Sequence, residues 1–278
     1  MRRKEGEMHV NYEYVMAGII LLLIFSITGA NIMSVITHRL SRMEQETEYP
    51  LAERLLDIIL LSPGYPPDWG VRSEDPLAFG LASTNALKDY VLDISKVYRL
   101  TESSPHHIPP GIARELMGLS SRYNFNLTIV PVLRIEIVNK TVNANSTYEI
   151  TVTNYKGFRV PNVNVMAYYV NRSLSPTSPI FLQSNTTSTY GNCTITFGLI
   201  PNYVLLIYIN HLEVKAAKSY PPGLGLRVEG NCIIESDYPI IDSITYATGV
   251  YSSAYIETAF RYVEIDGITY YVRLDIWW

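Results

Sequence analysis

The sequence predicts an α+β protein in three parts: a long N-terminal transmembrane or spine helix, a small helical-plus-sheet head, and a β-sandwich module. Three observations carry this. Val15 to Ile36 contains no charged side chain. Apolar residues then recur at helical spacing in short stretches as far as residue 122. From Asn126 the hydrophobic period falls from 3.6 to 2, the change that separates amphipathic helices from half-buried strands.

A 22-residue helix spans roughly 33 Å, about the thickness of a bilayer core. The apolar region of a secretory signal is usually about 7–15 residues. Thr28-Gly29-Ala30 is an acceptable cleavage site, yet the apolar character runs on through Ile32, Met33, Val35 and Ile36 towards Leu40 and Met43. That continuity favours a retained segment at 15–36, with 1–14 as a cytoplasmic leader. Arg2, Arg3 and Lys4 precede the span and Arg39 and Arg42 follow it, a slight bias to a cytoplasmic N-terminus. The expected localisation is the cell membrane, single-pass, with the C-terminal part extracellular.

Residues 37–125 are expected to form the helical spine and membrane-proximal head. Leu51, Leu55, Ile58 and Ile59 share one helical face, with Leu56 and Leu60 widening it. The run SPGYPPDWG (62–70) stops that helix, because Pro and Gly crowd together there. Residues 85–100 (NALKDYVLDISKVYRL) and 111–122 (GIARELMGLSSR) read as two further amphipathic stretches.

Residues 126–217 are expected to form the sandwich. Alternation is clear at Leu133–Ile137, Tyr148–Val152, Val163–Val165 and Cys193–Phe197, and Val204–Ile209 is nearly continuous apolar. Residues 218–278 are expected to end in a hairpin that packs on the head. Asp266-Gly267 between two alternating runs signals a type I′ turn.

Composition limits the function. Net charge is −4, which argues against nucleic acid as a partner, because phosphate binding needs a concentrated basic face. The 22 Tyr against 7 Phe suit half-wet sheet surfaces and contact faces. Cys193 and Cys232 lie in no CxxC or Cys/His ligand spacing, so zinc is not expected; in an oxidising compartment the two would form one disulfide. Asn126, Asn139, Asn145, Asn171, Asn185 and Asn192 each open an N-x-[ST] triplet, which marks candidate glycosylation sites and an extracellular stretch.

The basic leader and apolar helix, the block LLSPGYPPDWG…LAFGLAS…YVLDISKVYRL, and the Tyr-rich end YVEIDGITYYVRLDIWW together resemble uncharacterised archaeal surface proteins with a type IV pilin-like organisation. The resemblance covers roughly residues 10–100 and 240–278. GFRVPNVNVMAYYV and TSTYGNCTITFGLIPNYVLLIYI resemble Ig-like or transthyretin-like modules. The pilin resemblance implies a helix that is half membrane segment and half filament core. Its assembly face would be Ile19, Leu22, Ile24 and Ile36, and the partners it implies are the lipid bilayer and copies of itself or other pilin-like subunits. Gly6 is the one residue placed for prepilin-type processing, although EMHVNYEY separates it from Val15 and Glu13 is not at the expected spacing.

The sequence contains no GxSxG, HExxH or Walker A motif. GLGLRVEG (223–230) reads as a loop. His106 and His107 are adjacent and point to opposite sides of an extended chain. Glu235 and Asp237 are one residue apart in a loop, a weak Ca²⁺ pattern. Asp68 is expected to cap the PPDWG corner. Neither enzyme activity nor a cofactor is expected. The sequence favours a membrane-anchored extracellular structural or assembly protein, a pilin-like subunit or minor component of an archaeal surface appendage. The alternative is a surface adhesin or ligand-binding ectodomain that uses the sandwich loops.

Overall fold

The computed structural model describes residues 50–140, 145–172, 180–229, 232–250 and 255–278, together with Met16, Ala17, Phe25 and Met33; of Glu229 and Cys232 only the backbone is described. The chain divides into Met1–Pro50 and the compact unit Leu51–Trp278. Helices and strands of the second unit are numbered in chain order.

The expected α+β architecture with a long spine helix is corrected to a mostly β protein. Among the described residues the α-helices are short: α1 (Leu51–Leu61), α2 (Ile94–Tyr98) and α3 (Pro110–Leu116). None is long and apolar enough to cross a membrane. The transmembrane helix, the single-pass membrane placement and the pilin-like spine are therefore not supported. The span 15–36 otherwise lies outside the described residues, as do Gly6 and the assembly face Ile19, Leu22, Ile24 and Ile36. The 85–100 stretch is also not one helix. Residues 85–90 are turns, Val91–Leu92 form strand β1, and Asp93 caps α2 by accepting from the Ser95 amide at 2.9 Å. A short acceptor at that position starts a new helix more readily than it continues one.

Helix α1 forms where expected. Its buried face, Ala52, Leu55, Leu56, Ile59 and Leu60, packs on a five-stranded sheet. The sheet order is β1, β13 (Ile256–Ile265), β14 (Ile268–Trp277), β2 (Asn124–Pro131) and β12 (Ile244–Ala247), antiparallel except for the β1–β13 pair. Glu257 of β13 caps the helix start from 205 residues away, accepting from the Ala52 amide at 3.2 Å. Arg261 grips Asp57 with two bonds of 3.0 Å, and Tyr90 donates to the same carboxylate. At the β13–β14 turn Asp266 and Gly267 both have positive φ, 48° and 77°, as a type I′ turn requires.

Strand β2 leaves this sheet at Val132 and continues as β3 (Leu133–Asn139) in a second one. The sandwich therefore begins at residue 133, not 126. Its three-stranded sheet has the order β3, β4 (Asn145–Asn154), β7 (Asn192–Gly198). Its four-stranded sheet has the order β6 (Phe181–Thr186), β5 (Asn164–Asn171), β8 (Tyr203–His211), β9 (Val214–Tyr220). The inward positions of both, among them Ile135, Ile150, Val165, Ile195, Leu205 and Ile207, make a single core. The stretch expected to be a loop at 223–230 contributes β10 (Leu226–Glu229), which pairs with β11 (Cys232–Glu235). This hairpin covers the far face of the four-stranded sheet through Leu226, Val228 and Ile233.

Backbone and side-chain bonds tie the sandwich to the head, the Lys218–Asp242 ion pair among them. Val132 donates to the Thr269 carbonyl at 3.0 Å and accepts from the Tyr155 amide at 2.9 Å. Lys215 of β9 donates its amide to Thr269 Oγ1 at 3.0 Å. They set the β4–β5 turn, which carries Tyr155 and Lys156, beside the outer face of β14.

Candidate functional site: an aromatic and cationic groove

One face of the five-stranded sheet is filled by the helices, and the other carries the clearest exposed cluster of rings among the described residues. Alternation on β14 sends Tyr271, Arg273 and Asp275 outward, while Tyr270, Val272 and Leu274 enter the core. Register then places Tyr262 and Val130 beside Tyr271, Phe260 and Thr128 beside Arg273, and Thr258 and Asn126 beside Asp275. From the sandwich side come Tyr155, Lys156 and Arg134. These residues, apart from Thr258 and Tyr262, line a groove of about 580 Å³, within the roughly 300–1,000 Å³ usual for ligand clefts.

Its aromatic floor is contiguous. Tyr155 stacks on Tyr271 with centroids 4.5 Å apart and planes at 16°. Phe260 lies 5.6 Å and Tyr262 5.8 Å from the same Tyr271 ring. Phe260 is 52% and Tyr262 51% exposed. Burial, reinforced by Tyr155, holds the Tyr262 and Tyr271 phenols above their ordinary value, so both stay protonated donors at neutral pH. Buried Asp275 accepts from Thr258 Oγ1 at 2.7 Å and from Arg273 Nε at 2.8 Å. Lys156 lies over the Tyr155 ring at 5.6 Å. Arg134 and Lys156 make no ion pair among the described residues, and both are exposed. The sequence marks the Tyr-rich end but not this groove, because its three walls meet only through the Val132 crossover.

The other sequence-predicted positions are scattered. Asn126 is buried in the groove wall; Asn139, Asn145 and Asn185 are exposed; Asn171 and Asn192 are partly covered. Asn185 donates its amide to the Thr194 carbonyl at 2.8 Å. Cys193 is a free, buried thiol facing the sandwich core. Strand β11, which Cys232 opens, lies across the four-stranded sheet from that core, and the Cys232 side chain is outside the described residues. Burial pushes the Cys193 thiol up to about 11. Native protein at pH 8 is accordingly expected to leave Cys193 unlabelled by iodoacetamide, with labelling on denaturation; mass spectrometry of the residue-193 peptide checks this. Fast native labelling would contradict it.

Asp68 does not cap the PPDWG corner through its side chain; it is exposed and pairs with Arg72 through two 2.9 Å bonds. Trp69 locks that corner instead. It is fully buried, and its Nε1 donates to Gly80 O at 3.0 Å and Pro63 O at 3.2 Å. Two buried cations join it. Lys96 donates to Ala82 O and Pro63 O at 2.8 and 3.0 Å. Arg99 donates to the carbonyls of Trp69, Arg72, Glu74 and His106 at 2.6–3.1 Å. Desolvation lowers both cations from their ordinary values. Trp277 is packed, whereas Trp278 is exposed beside Tyr123 and Tyr255. Among the described residues no three His, Cys, Asp or Glu side chains gather as a metal site, Glu235 and Asp237 included.

Compared with known proteins, the chain matches no family model, no curated protein and no solved structure.

Proposed function

We propose that this protein acts by binding rather than by catalysis, and that its recognition surface is the groove on the outer face of the five-stranded sheet. The observation that carries the reading is a continuous four-ring cluster, two of whose rings are half exposed, bordered by two cations without ion partners among the described residues. Contiguous exposed apolar surface rimmed by polar groups is costly to leave in water and marks interaction sites. Two reactive groups elsewhere are occupied or quenched: the amine of Lys96 is bound to two carbonyls, and the Cys193 thiol is held protonated.

The test is retention on a surface carrying the full chain. Acidic and neutral oligosaccharides, peptides and single-stranded oligonucleotides are passed over it. At least one class is expected to be retained, and retention is expected to vanish when Phe260→Ala and Tyr262→Ala are combined. No retention of any class, or retention indifferent to the double variant, contradicts the reading.

A second reading, assembly with copies of itself, is favoured by one feature. Among the described strands β6 pairs only with β5, and all six of its residues are exposed. It contains no charge and no proline, the usual guards of an open edge. Ile180 and Leu182 are 53% and 58% exposed. If this edge assembles copies, sedimentation velocity will show concentration-dependent oligomers that Leu182→Lys abolishes. A monomer at all concentrations sinks it.

A further inference from the structure

We propose that the groove binds an acidic polysaccharide, one whose sugar rings carry carboxylates; this rests on the groove being the recognition surface. The chemistry of the lining selects among ligand classes. A pyranose ring has a flat C–H face and a rim of hydroxyls. Its face stacks on a half-exposed aromatic ring such as Phe260, while its rim meets hydrogen-bonding groups. The groove supplies both, with the phenols beside Tyr271 and the side chains of Asn126 and Thr128 along β2. Arg134 and Lys156 then set the charge. Each lacks a carboxylate among the described residues, and both line the same groove as the rings. A guanidinium that meets a carboxylate in two parallel bonds is among the stronger polar contacts available.

The two competing classes fit less well. A peptide bound as an added strand needs an open sheet edge, and this groove lies on a sheet face, where β13, β14 and β2 already pair with one another. A nucleic acid is held chiefly by cations that track its phosphate backbone. The groove has three basic side chains, one of them, Arg273, engaged by Asp275, and the whole chain carries −4.

Isothermal titration calorimetry of the full chain tests this with a galacturonic acid oligomer, its carboxyl-reduced neutral counterpart of equal length, and an oligothymidylate. The acidic oligomer is expected to bind at least about tenfold more tightly than the neutral one and to weaken as salt rises, as screening requires. Arg134→Gln combined with Lys156→Gln is expected to abolish the preference for the acidic oligomer together with its salt dependence. Phe260→Ala is expected to weaken both sugars. All three positions are exposed, and unchanged circular dichroism and melting temperature will show the fold intact. Equal binding of the two sugars, with Phe260→Ala still effective, overturns the carboxylate inference and leaves the groove standing. Sugar binding that ignores Phe260→Ala overturns the groove reading itself. Binding of neither sugar, or of the oligothymidylate in preference, overturns the inference.

Discussion

Replacing Trp69 with alanine is expected to destabilise the compact unit by about 3–5 kcal/mol, the range for deleting a large buried aromatic side chain. The indole is fully buried, lies 6.1 Å from Phe79 and serves two carbonyls. Alanine leaves a cavity and two acceptors without their donor. Those acceptors belong to the backbone of Pro63 and Gly80, in a corner with no room to rearrange: a Cβ on Gly80 would meet Ser62 O at 2.4 Å, and one on Gly64 would meet Ala78 O at 2.5 Å. Water entering the cavity could satisfy the carbonyls but not the lost dispersion contacts. For a domain of this size the loss corresponds to a fall in melting temperature on the order of 10 °C. Calorimetry checks it, and a fall of only one or two degrees would mean that the corner is held by something other than this ring.

Arg99→Ala is expected to cost a similar amount, about 3–5 kcal/mol, because four carbonyls lose their donor and a buried acceptor left unsatisfied costs about 1–3 kcal/mol. The ion pair is not the reason. Asp75 is 3.3 Å away and half exposed, so it recovers water when the cation is gone, and such pairs contribute about 0–1 kcal/mol. The four carbonyls of Trp69, Arg72, Glu74 and His106 are the reason, since one planar fork reaches all of them. Arg99→Lys is therefore expected to rescue little, because an ammonium cannot present donors in that plane. Arg99 also lies over the Trp69 ring at 5.4 Å. The double variant should then lose less than the sum of the two singles, as residues in contact do. Full rescue by lysine, or strict additivity, would contradict this account of the corner.

The same corner marks where sequence patterns stop being informative. Local patterns are legible. The period-3.6 face of Leu51–Leu61 is a helix, the alternation at 133–137, 148–152 and 193–197 is strand, and Asp266-Gly267 is the turn between β13 and β14. Each is decided by residues within a few positions of one another. Lys96 and Arg99 lie in the stretch 85–100 that reads as amphipathic, yet both are buried. A signal is present: SPGYPPDWG holds three prolines, each with a carbonyl and no N–H. Such a segment has more acceptors than donors, and a buried cation is one way to balance them.

The groove is illegible for a different reason. Tyr155 and Tyr271 are 116 positions apart and meet because β2 leaves one sheet at Val132 and its chain enters another. Alternation shows that 126–131 is a strand, but not which sheet it joins, and adjacency in sequence wrongly places it in the sandwich. The expectation of a spanning helix at 15–36 rests on the length of an apolar run, and that run lies almost wholly outside the described residues.

The most direct test of the central claim is to map where a ligand sits. With the ligand retained in the panel at saturation, backbone amide chemical shifts of the deuterated full chain are compared with those of the free protein. The largest changes are expected to cluster at Val130, Arg134, Tyr155, Lys156, Phe260, Tyr271 and Arg273. Changes confined to the β6 edge, or to the separate cleft lined by Asp93, Lys215, Arg227 and Glu264, would contradict the groove as the recognition surface.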